Sequence, residues 1–122
     1  MVSRWVPDRG DIIWIQFDPQ AGREMKSRHP MLVLSPRAVN DRTSIAIGLP
    51  MSTQDYNASN PFAVRVEGDD GGVGFILTNQ PKSFDWRERS AKPHPWKRAP
   101  PLAFEMACEG LNQIIAIAGD AA

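Results

Sequence analysis

The sequence predicts a mainly β fold, a small barrel or half-barrel with one helix at its C-terminal end. Three observations carry that expectation. Five short β-branched or aromatic runs are separated by turn-forming residues. Helical spacing of a long apolar stripe begins only after Pro101. The chain has 122 residues and no repeat or low-complexity tract, so residues 1–122 read as one domain.

The elements follow in order. GDIIWIQF (10–17), bounded by Gly10 and Asp18-Pro19, is a strand. MLVLS (31–35) follows His29-Pro30 and reads as a buried strand. Ser35-Pro36 is a helix-start signal, with Ser35 as the expected cap, so a short helix is expected over about 36–41. TSIAIGLP (43–50), FAVRV (62–66) and GVGFILT (72–78) are three further strands. The last two are separated by the turn cluster Asp69-Asp70-Gly71-Gly72. Residues 93–101 hold Pro93, Pro95, Pro100 and Pro101 and are expected to be an extended loop. A helix over about 102–117 would present Phe104, Ala107, Cys108, Leu111 and Ile115 as its apolar stripe. Gly110 inside it costs roughly 1 kcal/mol against Ala and marks close packing on a neighbour. Trp14 and Cys108 are expected in the core, and Trp86 in packing.

Composition excludes several classes. An apolar content of 42% with zero net charge is unlike a disordered chain. It is also unlike a uniformly basic coat for nucleic acid. One cysteine, Cys108, allows neither an internal disulfide framework nor a cysteine zinc cluster. His29 and His94 are far apart in sequence and no metal-ligand spacing occurs, so no metal or other cofactor is expected. No apolar stretch approaches 18 residues and the first residues lack an apolar signal region, so a cytoplasmic protein without a membrane span is expected. The neutral total hides a pattern. Residues 82–98 carry six Lys or Arg against two Asp or Glu, and residues 21–53 five against two. Brought together, these blocks would form a positive face suited to phosphates.

The longer connections carry candidate chemistry. Arg23, Glu24, Lys26, Arg28 and His29 lie between Asp18 and Pro30; Ser52, Thr53 and Gln54 follow Pro50. Arginine matches phosphate geometry, and histidine is the side chain that exchanges a proton near neutral pH. Such an inventory suits attack of an RNA 2′-OH on the adjacent phosphorus without a metal.

Beyond these local signals, the chain resembles the MazF/PemK (Kid-like) toxins of bacterial toxin–antitoxin systems. The resemblance runs over about residues 1–117. It is carried by RGDIIWIQFDPQAGRE (9–24), HPMLVLSPRAVN (29–40), GLPMSTQ (48–54) and GFILTNQPKSFDWRER (74–89), with the terminal helix. It implies an SH3-like barrel with a C-terminal α-helix and a homodimer. It implies metal-independent, sequence-selective cleavage of single-stranded RNA, and a cognate antitoxin whose acidic, disordered C-terminal segment blocks the site. The family's catalytic hydroxyl falls at Ser52. Its catalytic arginine, placed just before the proline, falls at His29, with Arg28 one residue earlier, so the catalytic set is Arg28, His29 and Ser52. Substrate contacts are expected from Glu24, Thr53, Gln80, Lys82 and Trp96, the last as an exposed aromatic in the Pro-rich loop. Two other readings are weighed. A CcdB-like non-enzymatic toxin on the same barrel would carry a C-terminal tryptophan, and this chain ends Gly119-Asp120-Ala121-Ala122. An SH3-like peptide-binding module would need an aromatic groove, and Tyr56 is the only tyrosine.

Overall fold

The computed structural model describes residues 4–17 and 28–116. Its elements are β1 (Asp11–Gln16), β2 (Arg28–Val33), α1 (Arg37–Thr43), β3 (Ile45–Ser52), a 3₁₀ turn (Asp55–Ser59), β4 (Ala63–Glu67), β5 (Val73–Leu77), β6 (Lys82–Asp85), β7 (Lys92–Arg98) and α2 (Pro101–Ile114). Six strands form one curled antiparallel sheet in the order β4-β5-β3-β2-β1-β7, and β6 pairs with β3. This is the expected mainly β half-barrel with a C-terminal helix.

The middle strands are apolar on both faces because both faces are covered. Ile12, Leu32 and Leu49 face one core with Val64, Val66 and Ile76, closed by Ala103, Ala107 and Leu111 of α2. Ile13, Ile15, Met31 and Val33 face a second core with Ala46 and Trp86. The three buried α2 residues recur at four-residue spacing and so share one side of the helix. The stripe therefore differs from expectation. Phe104 and Cys108 are only half-buried at its border, and Ile115 is exposed. Gly110 does mark a close contact: a Cβ there would lie 3.1 Å from Cγ2 and Oγ1 of Thr78.

Two local expectations need correction. Ser35 does not cap α1; Pro36 is the cap residue, and its carbonyl accepts the N–H groups of Val39 and Asn40. The Ser35 hydroxyl is drawn into a buried network, donating to Asn40 Oδ1 at 2.6 Å and accepting the Ile47 N–H at 2.9 Å. The Pro-rich stretch is a strand over Lys92–Arg98 rather than a loop, and only then does Pro100 lead into α2. β7 lies at the end of the sheet order, where a proline's missing N–H breaks no central ladder.

The two ends of the sheet, β4 and β7, meet through one side chain. The Trp96 indole lies across Gly68, Gly72 and Gly74 of the β4–β5 hairpin. A Cβ built on Gly68 would fall 2.2 Å from its Cε2 atom, and one on Gly74 would fall 3.4 Å from Cζ3. Its Nε1–H donates to Asp70 Oδ1 at 3.1 Å. The hairpin glycines thus make room for an aromatic bridge that curls the sheet.

Candidate active site

Chain register brings the predicted residues together. Strand β2 begins at Arg28, opposite Gln16 of β1, and His29 stands opposite Ile15. Alternation sends these neighbours to opposite faces. The half-buried Arg28 carries its guanidinium 5.4 Å from the Trp14 ring centroid. His29 is exposed, with its ring 4.9 Å from that of Phe17. Ser52 ends β3, where the strand pairs with β5 through Ser52 and Phe75.

Although their side chains leave opposite faces of β2, Arg28 and His29 are its first two residues, and both border, with Ser52, one open cavity of about 500 Å³. Thr53, Gln80 and Trp96 border it too, so six of the eight expected site residues share a wall. Lys82 is not on that wall; it sits on β6 opposite Gly48. Glu24 lies outside the described residues. Trp96 is half-buried and pinned on glycines, not the free loop aromatic expected.

The cavity also holds groups that sequence reasoning placed elsewhere. Trp14, assigned to the core, is half-buried on the wall. The His94 ring lies tilted against Trp14, at 4.6 Å, and edge-on to Trp96, at 5.2 Å. Its Nδ1 accepts the Trp96 backbone N–H at 3.0 Å, which fixes the neutral ring as the Nε2–H tautomer. Burial holds its pKa below the ordinary histidine value, against a smaller opposite pull from Asp70. The Asp70 carboxyl in turn is held below the ordinary range, first by the Gly72 N–H and then by the Trp96 indole N–H. His94 and Trp96 are two residues apart and so share a strand face. That spacing was the available signal, hidden by the flanking prolines.

The basic blocks are partly committed to structure. Arg37 pairs with Asp8, Arg87 with Asp41 and Arg98 with Asp11. Arg89 donates to the Gln16 and Phe17 carbonyls, which fixes the end of β1 beside the cavity. Trp86 packs as expected, buried, with Nε1–H on the Asn40 carbonyl at 2.8 Å.

Fold and cavity together define a class: a small antiparallel half-barrel with guanidinium, imidazole and hydroxyl groups set beside aromatic rings on one open wall. Residues 8–115 match the family described as PemK-like, MazF-like toxin of type II toxin-antitoxin system. The chain is 43% identical over 91 residues to the endoribonuclease toxin MazF of Escherichia coli K12, covering 75% of this chain and 79% of that protein. It superposes on the crystal structure of MazF from Deinococcus radiodurans with a TM-score of 0.79 and 32% identity, covering 93% of this chain and 100% of that one. A MazE–MazF structure from the same organism gives a TM-score of 0.76 at 28% identity, covering 92% and 97%. The chain belongs to the PemK/MazF toxin family. Among the described residues no helix is long and apolar enough to cross a membrane.

Proposed function

We propose that this protein is the toxin of a type II toxin–antitoxin pair and a sequence-selective endoribonuclease acting on single-stranded RNA. The observation that carries this reading is the shared wall of Arg28, His29 and Ser52. In the reaction, the 2′-oxygen forms a bond to the adjacent phosphorus and the bond from phosphorus to the 5′-oxygen breaks. The 2′-hydroxyl proton passes to a base on the enzyme, and the leaving 5′-oxygen takes up a proton. The products are a 2′,3′-cyclic phosphate and a 5′-hydroxyl, and the chemistry needs no metal. Arg28, braced on Trp14, is suited to the charge that builds on the phosphoryl oxygens. His29, exposed at the rim, is suited to proton exchange. Ser52 supplies a hydroxyl, while Thr53, Gln80 and the Trp14 and Trp96 rings are placed for flanking nucleotides.

Two protein partners belong to the same reading. One is a second copy of the chain: Leu102 and Met106 of α2 are exposed, the former at 67%, along a groove shared with Leu34 and Arg9. The other is a cognate antitoxin whose acidic segment competes with RNA for the cavity. That a MazF relative has been solved with MazE supports this pairing. The test compares single-stranded RNA with DNA of the same sequence, using wild type, Arg28→Ala and His29→Ala. RNA is cut and DNA is spared, and Arg28→Ala lowers the rate roughly 100- to 1000-fold, as loss of one oxyanion donor does. A silent Arg28→Ala beside an inactive His29→Ala moves the phosphate role to His29. Equal cutting of DNA overturns the mechanism.

A further inference from the structure

Ser52 sits at the end of a hydrogen-bonded relay whose polarity is fixed at both ends. The Phe62 backbone N–H, which can only donate, bonds to Asn60 Oδ1 at 2.9 Å. That leaves the Asn60 amide nitrogen to donate to Asn57 Oδ1 at 3.2 Å. The Asn57 nitrogen therefore faces the other way. It donates to the Gln54 carbonyl at 3.2 Å, an oxygen that can only accept, and to Ser52 Oγ at 3.1 Å. The Gln54 backbone N–H, again only a donor, also bonds to Ser52 Oγ at 3.1 Å. Asn57 is 3% exposed, so water does not compete for these bonds.

A serine oxygen has two lone pairs and one hydrogen. Both lone pairs of Ser52 are occupied by donors from the 53–57 segment, so its own hydrogen must point away from that segment. Apart from that segment and Phe75, its neighbour on β5, Ser52 borders the cavity, which is the open side toward which the hydrogen can turn. We infer that Asn57 is a positioning residue that makes Ser52 a hydrogen-bond donor aimed into the cavity, toward a phosphoryl oxygen of the substrate. Ser52 is then not the base that takes the 2′-hydroxyl proton; that step falls to the Arg28–His29 side of the wall. The inference rests on the ribonuclease reading above, and it adds a residue that touches no substrate atom.

The test separates polarity from packing. Asn57→Asp keeps the shape but replaces the donor with a group that accepts from the Ser52 hydroxyl and turns its hydrogen inward. Asn57→Ala removes the shape and leaves the hydroxyl free to rotate. The expected single-turnover cleavage rate falls by roughly 100-fold in Asn57→Asp, the scale of one lost donor, and by less in Asn57→Ala. Affinity for an uncleavable RNA with 2′-deoxy sugars stays within about twofold of wild type, since only transition-state contacts are lost. In a Ser52→Ala background neither change at Asn57 lowers the rate further. A rate in Asn57→Asp closer to wild type than that of Asn57→Ala overturns the inference, as does an equal loss in the Ser52→Ala background. Where Asn57→Asp does not fold, Asn57→Ala in the two backgrounds carries the same comparison. The pairing is also read without RNA: the Asn57 side-chain amide resonances shift on Ser52→Ala. Unshifted resonances overturn the relay, whereas shifted resonances in a protein that cuts no RNA overturn the reaction and leave the relay standing.

Discussion

Adding one methyl group at Gly68 tests how the half-barrel is held closed. A Cβ there would lie 2.2 Å from Cε2, 2.3 Å from Nε1 and 2.7 Å from Cδ2 of Trp96. Comfortable carbon–carbon separation starts near 3.5 Å, so the indole must retreat by about 1.3 Å. The retreat costs roughly 1–3 kcal/mol as overpacking. It also breaks the exposed Trp96 Nε1–Asp70 hydrogen bond. An overpacking cost of about 1–3 kcal/mol corresponds to a fall in Tm of about 4–12 °C at roughly 4 °C per kcal/mol for a chain of this size. Thermal unfolding followed by tryptophan fluorescence reads both the stability and the displaced ring. The expected result is that Gly68→Ala is costly in wild type and nearly free when Trp96 is already Ala, because the two act as one contact. Gly71→Ala is the control: Gly71 has φ +83° and no atom within 4 Å of its built Cβ, so it loses only backbone preference and leaves the ring in place. Equal penalties for Gly68→Ala with and without Trp96 would refute the aromatic bridge.

Two further outcomes follow from buried polar groups. Asn40 is fully buried and its amide donates to the Pro7 and Ser35 carbonyls at 2.8 and 3.0 Å, so Asn40→Ala strands both acceptors. At about 1–3 kcal/mol each the loss is roughly 3–4 kcal/mol, measured by urea unfolding, and a loss under about 1 kcal/mol would contradict the network. Burial keeps the His94 pKa lower in the folded chain than in the unfolded one, so the unfolded state takes up its proton first as pH falls below the ordinary histidine value of 6.5. Wild type therefore loses stability through that window, by at most about 1.4 kcal/mol per pH unit, and His94→Gln does not. The unfolding free energy of wild type minus that of His94→Gln falls from pH 7 to pH 5; a constant difference would contradict it.

Much of the architecture was legible because local pattern and tertiary role coincide. Ile12, Ile13 and Ile15 are β-branched in a strand buried on both faces, and Pro100-Pro101 marks the start of α2 where Ala103 begins the buried side. β7 was not legible, because Pro93 and Pro95 argue against a strand unless it is known to lie at an edge, which only the assembled sheet decides. β6 was missed for a related reason: Lys82–Asp85 is short and polar, and it pairs with a strand more than thirty residues earlier in the chain. At the site, Arg28, His29 and Ser52 were legible as chemistry. Which of Arg28 and His29 shares a face with Trp14 depends on the β1–β2 register. Asn57 carried no sequence signal; its role comes from a 3₁₀ turn that folds it back under Ser52.

The central claim is RNA cleavage by 2′-oxygen attack at the Arg28–His29–Ser52 wall. Its most direct measurement is the chemistry of the new ends. Single-stranded RNA is incubated with the purified protein in EDTA, and the products are sequenced and their termini identified by mass. The account predicts continued cutting, with 2′,3′-cyclic phosphate on one side and 5′-hydroxyl on the other. Products ending in 3′-hydroxyl and 5′-phosphate, or cutting that stops in EDTA, would contradict it.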